Sequence, residues 1–362
     1  MRQASLPLDQ PFSLYLDLAR FLAALAVVSS HFVLKQVAGG AMGELLPSFG
    51  REAVITFFVL SGFVIAYTTE RKGACAREYV LARCTRIYSV VIPALVLALA
   101  CIVLLPVADA YQAAYQLERP ILYLPLHLLF LGQSWTLAEV PLLLLPYWSL
   151  CYEVWYYVLF GVAFYLRGRL RVCAVALVLA VMGYKLWLLL PVWLSGVALY
   201  HLQARCWLPQ ALARVGLAAS LVALAAYNAS GLEVPLRALG TAIWPFASLK
   251  LGSADRYLAD YLVCLIVLAN FGCARFANLG ALLPHARLIR YCSSYTFTLY
   301  LTHMIVIMAW MALYPHDRDS LLDVLGLSLA IALATLLVGQ VSEQRKEMFR
   351  TPFAWLARAV IR

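Results

Sequence analysis

Charge is what this 362-residue chain has least of: Asp, Glu, Lys and Arg make up 13% of it, while 64% is hydrophobic. A soluble domain carries about 25% charged and about 45–50% apolar residues, so this chain has too little polar surface to cover a globule in water. The same shortage excludes a disordered chain, and it excludes a nucleic-acid-binding one despite the net charge of +10. Paired cysteines are lacking as well. The 9 cysteines are odd in number and show no metal-ligand spacing, which argues against a disulfide framework and a zinc site. The G-x-S-x-G, P-loop and H-E-x-x-H signatures are absent, so Ser61, in Leu60-Ser61-Gly62, reads as a small helix-packing residue. No internal repeat is visible, which leaves an inverted-repeat transporter without support.

Long apolar runs are present instead, with a mean hydropathy of +0.84. A helix needs about 20 apolar residues to cross the hydrocarbon layer. Ten stretches qualify: 14–34, 52–69, 87–105, 147–166, 172–184, 187–203, 214–229, 257–272, 295–314 and 321–341, with the boundary between the fifth and sixth placed near Lys185. The first carries Asp17 and Arg20, unlike a secretory h-region, and reads as a retained helix. A further run, 121–132, is about a dozen residues long and broken by Pro125, the length of a re-entrant or interfacial segment.

Charge tests the count. With the N-terminus inside, nineteen of the 28 Lys and Arg fall in cytoplasmic segments, from Arg2 to Arg358 and Arg362. Eight fall outside, Arg119 among them, and Arg20 lies within the first helix. This is the positive-inside bias. A full crossing at 121–132 would turn the Arg167, Arg169 and Arg171 cluster outward, so ten crossings fit better than eleven. No cysteine falls in an outer loop. The expectation is an all-α polytopic membrane bundle of about ten transmembrane helices, N-in and C-in. Residues 1–362 form its single domain, with no fused extracytoplasmic one.

Ionisable side chains at membrane depth cost about 2.5–3.5 kcal/mol each on insertion scales, so each needs a reason. Asp17 and Arg20 are three residues apart, on one helix face, and can neutralise each other. His31 follows Arg20 by eleven residues, about three turns, and projects from nearly the same face roughly 16 Å further along. A structural ion pair and an interfacial histidine are the bland alternative. Arg83 and Arg86 share one side of the start of the third helix, inside a cytoplasmic basic cluster with Arg71, Lys72 and Arg77. Guanidinium groups bind phosphate bidentately, which suits a phosphorylated cytoplasmic ligand, although topology and lipid headgroups explain such clusters too. Glu153, in Trp148-Ser149-Leu150-Cys151-Tyr152-Glu153 at the outer end of the fourth helix, must face the protein interior or a water-filled cavity. His303 is the other intramembrane histidine, and packing is an equal alternative for it.

These pieces fall in the order of a known family. The first-helix segment from Asp17 and Arg20 to His31 resembles the Arg-ten residues-His signature of the acyltransferase-3 family of bacterial membrane-bound O-acyltransferases. Phe57-Phe58-Val59-Leu60-Ser61-Gly62-Phe63 is similar to its F-F-x-L-S-G-F, and Arg83-Cys84-Thr85-Arg86 to its R-x-x-R. Trp148 to Glu153 resembles its W-S-L-x-x-E; Ser294-Tyr295, Leu299-Tyr300-Leu301 and His303 resemble its S-Y…L-Y-L-x-H helix. Ser342-Glu343 is similar, more loosely, to a carboxylate near the family's C-terminus. Two departures stand out: Val154 replaces an acidic residue often found there, and the proline expected soon after Glu343 is missing. A role for Glu343 is discounted on that ground.

The resemblance implies an enzyme that transfers acyl groups other than aminoacyl, O-acetyltransferase-like, in the bacterial inner membrane. Its donor would be cytoplasmic acetyl-CoA or another acyl-CoA. Its acceptor would be a hydroxyl of a sugar in a polysaccharide or lipid-linked glycan. Membrane lipids are its other partner; no metal and no nucleic acid are implied, and the oligomeric state is left open. Arg83 and Arg86, with Arg20, would hold the donor. His31 would be the general base, and Asp17 would hold Arg20. Glu153 would bind acceptor hydroxyls or orient His31. Trp148, Tyr152 and His303 are the further candidates for contacting the acceptor. The competing reading is a transporter or flippase of a lipid-linked sugar that uses the same charged groups as relays. A structural subunit of an export complex and the unrelated His/Asn membrane acyltransferases fit the motif order less well.

Overall fold

The computed structural model describes residues 8–35, 37–46, 48–73, 75–105, 120–203 and 205–354. Of the charges counted above, Arg2, Arg119, Arg358 and Arg362 lie outside the described residues. Fourteen α-helices and no strand occur among those described. They are α1 (Gln10–Leu34), α2 (Gly40–Leu45), α3 (Gly50–Lys72), α4 (Ala76–Leu104), α5 (Pro120–Leu128), α6 (Tyr147–Tyr165) and α7 (Gly168–Met182). The rest are α8 (Tyr184–Gln203), α9 (Gln210–Ser230), α10 (Glu233–Ile243), α11 (Tyr257–Ala274), α12 (Ala286–Ser293), α13 (Thr296–Leu313) and α14 (Leu321–Val341). Each of the ten expected crossings is a helix.

Eight of them are long and apolar enough to span by length and composition. The two that fall short are α6, dense in Tyr and Trp, and α7, whose 15 residues reach about 22 Å of a hydrocarbon layer about 30 Å thick.

Local chemistry sets the helix limits. Asp9 caps α1 by accepting the Phe12 N–H at 3.2 Å, and Pro11 sits in the first turn, where its missing N–H costs nothing. α7 and α8 turn back on each other at Gly183, whose φ of 78° favours glycine. That boundary is two residues before the expected one. The third crossing is corrected more substantially. Its helix begins at Ala76 and not near residue 87, so Arg83 and Arg86 stand two turns inside α4. Arginine is a good helix former, and the helix runs on past the end of the apolar stretch.

α3 is the central helix, packed on α1, α8 and α11. Its approach to α8 is close enough to demand glycine. A Cβ on Gly62 would lie 2.0 Å from Trp193 O, and one on Gly196 would lie 2.0 Å from Val59 O. Small residues that let backbones touch are the usual means of packing helices where lipid is the solvent. α9, by contrast, is mostly exposed, as a lipid-facing helix can be.

Contacts between distant segments show the crossings alternating in direction. At one end Asp9 pairs with Arg275, Arg214 donates to Ala277 O, and Gln344 donates to Ser294 O. At the other end Asn228 donates to Ser48 O, Tyr184 to Lys250 O, and Arg237 and Arg256 pair with Asp255 and Glu233. Every pairing joins segments that the charge count put on one side. The positive-inside bias makes the first end cytoplasmic.

α5 is the re-entrant segment. Tyr88, midway along α4, donates to Leu128 O at 2.6 Å, and Trp155, midway along α6, donates to Phe130 O at 3.1 Å. Over residues 120–147 the chain therefore reaches the middle of the bundle and returns to the start of α6.

Candidate active site

A cavity of about 350 Å³ lies in the cytoplasmic half of the bundle, walled by α1, α3, α4, α6, α12, α13 and the segment after α14. Asp17, Arg20, Arg83, Arg86 and Glu153 all line it, so the fold gathers five of the nine candidate residues from three helices. His31, His303, Trp148 and Tyr152 are not in its wall.

The cavity is basic. Arg290 and Lys346 join Arg20, Arg83 and Arg86, against the carboxylates Asp17, Glu153 and Glu343. Arg20 has an ion-pair partner, Asp17 at 3.5 Å, which also accepts from Ser293 Oγ at 3.4 Å. Among the described residues the other four cations make no ion pair. The Arg83 guanidinium lies over the Tyr157 ring, 5.7 Å from its centre, and its Nε is buried without a hydrogen-bond partner. Thr296 Oγ1, in the same wall, is also buried without a partner. Such groups are costly unless something completes them.

The carboxylates, in contrast, are fixed in place. Trp193 Nε1 donates to Ser61 Oγ at 3.1 Å, Ser61 Oγ donates to Tyr157 OH at 2.9 Å, and Tyr157 OH donates to Glu153. All the donors in this chain point toward Glu153. Ser61 is thus more than a packing residue: it lines the cavity and holds Tyr157. Glu343, discounted from the sequence, accepts the Thr298 N–H at 3.0 Å and Thr298 Oγ1 at 2.9 Å, closing the first turn of α13. Burial raises its carboxyl above the usual range, and the Thr298 bonds and the Arg86 charge work the other way. The Ser342-Glu343 motif was the signal for it.

At the far end of the cavity stand Phe57, Ser149 and Tyr300. Tyr300 OH and Ser149 Oγ are 2.5 Å apart, and the Phe57 and Tyr300 rings meet edge to face at 5.5 Å. One turn beyond Tyr300 comes His303, its ring 6.5 Å from that of Tyr300 and 5.0 Å from that of His31. His303 Nε2 and His31 Nδ1 are 3.0 Å apart. His31 Nδ1 also lies 2.9 Å from Val27 O, and Glu153 is not among its partners. Ser30 stands against Gly50, so the histidine pair sits level with the start of α3, on the outer side of the aromatic layer.

Trp148 and Tyr152 belong to a different cluster. Arg51 lies over the Trp148 ring at 4.8 Å and forms a two-pronged pair with Asp260, Nε to Oδ1 at 2.8 Å. Arg51 also donates to Ser253 O at 2.9 Å. Tyr152 OH bonds Ser253 Oγ at 2.7 Å, and Ser253 Oγ donates to Gln133 on the re-entrant loop at 2.8 Å. Tyr152 is wholly buried there and is not in the wall of the cavity described above. Neither Arg51 nor Asp260 carried a local signal, since they are 209 residues apart.

Among the described residues no group of three His, Cys, Asp or Glu is placed to hold a metal ion. A family model described as an acyltransferase domain matches residues 13–339. No curated protein and no solved structure matches the chain.

Proposed function

The chain belongs to that acyltransferase family, and on that premise we propose that it moves an acyl group, acetyl in the simplest case, from cytoplasmic acyl-CoA to a sugar hydroxyl of a cell-surface polysaccharide or glycolipid. The observation that carries this reading is the set of cations, Arg83, Arg86, Arg290 and Lys346, that make no ion pair among the described residues and share a cavity at the cytoplasmic end. A nucleotide-bearing thioester with several phosphates is a ligand that such a site completes. Arg20, Ser61 and Glu153 supply further polar groups in the wall of the same cavity. They suit the amide-bearing arm that joins nucleotide to thioester.

On this reading the thioester reaches the Phe57–Tyr300 layer and the acceptor approaches from the other side, at His31. The acceptor O–H gives its proton to His31 Nε2 while its oxygen bonds to the thioester carbonyl carbon. The C–S bond then breaks, and the leaving thiolate takes the proton. His31 is a suitable base because an imidazole is neutral and unprotonated near neutral pH. Single displacement suits a site with no activated nucleophile in view. In this scheme Asp17 orients Arg20, and Glu153 binds a hydroxyl of the donor's arm.

The test is mass spectrometry of surface glycans from cells with the wild-type protein, with His31→Ala, or with none. Loss of one ester-linked acyl group in the second and third supports the reading. Unchanged acylation in all three, with accumulation of a lipid-linked sugar on the cytoplasmic side, overturns it in favour of a flippase. With purified protein, His31→Ala lowers transfer about 10²–10⁴-fold, the usual yield of a positioned base, with donor affinity unchanged.

A further inference from the structure

His303 was a candidate for contacting the acceptor, but its surroundings fit a different part. Its side chain has no exposed surface and does not line the cavity, so no acceptor can touch it. Simple packing does not explain it either. A buried imidazole is costly unless its nitrogens are satisfied, and here both are: Nδ1 lies 2.9 Å from Leu299 O and Nε2 lies 3.0 Å from His31 Nδ1.

Those distances assign the protons. A backbone carbonyl only accepts, so His303 carries its hydrogen on Nδ1, and its Nε2 presents a lone pair. His31 Nδ1, facing that lone pair and Val27 O at 2.9 Å, must then be a donor. The neutral His31 that satisfies every contact carries its hydrogen on Nδ1 and keeps the lone pair on Nε2. The hydrogen bonds run in one direction, from His31 through His303 to Leu299 O.

We infer that His303 is a positioning residue that accepts the Nδ1–H of His31 and shares the proton which His31 takes up at Nε2. This rests on the reading of His31 as the base. When the acceptor proton arrives at Nε2, the Nδ1 hydrogen moves toward or onto His303 Nε2, and one positive charge is spread over two rings. When the thiolate recovers the proton from His31 Nε2, the shared hydrogen returns to His31 Nδ1. Nothing else is consumed.

A carboxylate would do the same work at a cost, because a permanent anion at membrane depth is unfavourable whether or not the enzyme is turning over. Among the described residues neither ring has a carboxylate partner. An imidazole stays neutral until the proton comes. Through the Tyr300 ring, His303 is also in contact with the wall of the cavity, so the pair is held against the layer that the thioester must reach.

The experiment uses the full chain in lipid nanodiscs, ¹⁵N-labelled at histidine. The wild type should show a ¹⁵N–¹⁵N coupling across the hydrogen bond between His31 and His303, with His31 protonated at Nδ1. In His303→Gln, whose amide oxygen can accept but cannot take a proton, kcat should fall about 10-fold. In His303→Leu it should fall about 100-fold, the usual range for removing the partner of a functional imidazole. KM for acyl-CoA should stay within about 2-fold in both, since the donor cations are untouched. A neutral His31 protonated at Nε2, or full kcat in both variants while His31→Gln is inactive, overturns the role of His303 and leaves the base standing. Activity retained in His31→Gln overturns both. If His303→Leu fails to fold, the coupling and His303→Gln still decide the matter.

Discussion

Two sets of basic residues, one toward each end of the bundle, are treated in opposite ways by the fold. At the outer end Arg51, Arg237 and Arg256 each have a carboxylate, in Asp260, Asp255 and Glu233. Lys185, buried there, donates to Leu137 O. At the cytoplasmic end Arg83, Arg86, Arg290 and Lys346 share a cavity and pair with no carboxylate among the described residues. The closed set is neutralised by the chain itself and is structural. On the proposed reading, the open set is left for the acyl donor. Residue type alone separates functional charge from structural charge poorly; whether the fold has already completed the charge separates them well.

That contrast can be broken from either side. The largest effect is expected at the closed end. Asp260→Ala leaves the Arg51 guanidinium buried beside Trp148 with no counter-charge, and breaking such a pair costs about 3–5 kcal/mol. Thermal unfolding in detergent should show a steep loss of stability, while donor binding by the protein that remains folded is normal. A stable Asp260→Ala variant with defective donor binding would reverse the assignment of the two ends.

At the open end the opposite pattern is expected. Arg83→Ala and Arg86→Ala each remove charge-assisted hydrogen bonds worth about 1.5–3 kcal/mol, or roughly 10- to 100-fold in donor affinity. Stability should hold or rise slightly, because like charges are relieved. Calorimetry with coenzyme A, beside a melting curve, distinguishes the outcomes. Unfolding without weaker binding would make these arginines structural after all.

The smallest effect is expected at Glu343. Its carboxyl, raised by burial, holds a proton more tightly in the folded protein than in the unfolded chain. The stability this contributes is therefore present below the ordinary carboxylate range and is lost as pH rises through the raised folded value. Glu343→Gln keeps an acceptor for Thr298 and removes that slope, with a change of about 1 kcal/mol or less at neutral pH. Melting temperatures between pH 4 and pH 8 measure it. An unaltered pH dependence would show that Glu343 ionises normally.

Much of the site was legible because its motifs are local. Asp17 and Arg20 lie one turn apart, and Arg83 and Arg86 share a helix face in the same way, so a short window shows each pair. What the windows missed was non-local. Ser61 reads as a packing residue until Trp193 and Tyr157, 132 and 96 residues away, are seen on either side of it. No nearby proline marks Glu343, and its partner, Thr298, lies 45 residues upstream. The sequence offers Glu153 as one partner for His31, whereas the ring that meets His31 is that of His303, 272 residues along the chain.

The sequence by itself determined that the chain lives in a membrane, how often it crosses and which end faces the cytoplasm. Each of these depends on a property that adds up along the chain: apolar length against a layer of fixed thickness, and the placement of Lys and Arg. It also supplied the candidate charges, because an ionisable residue within an apolar run is conspicuous. Only the tertiary structure decided which charges are answered and which are left open, and which two histidines touch. Those depend on distances of about 3 Å between segments hundreds of residues apart, and helix packing sets such distances where local pattern does not.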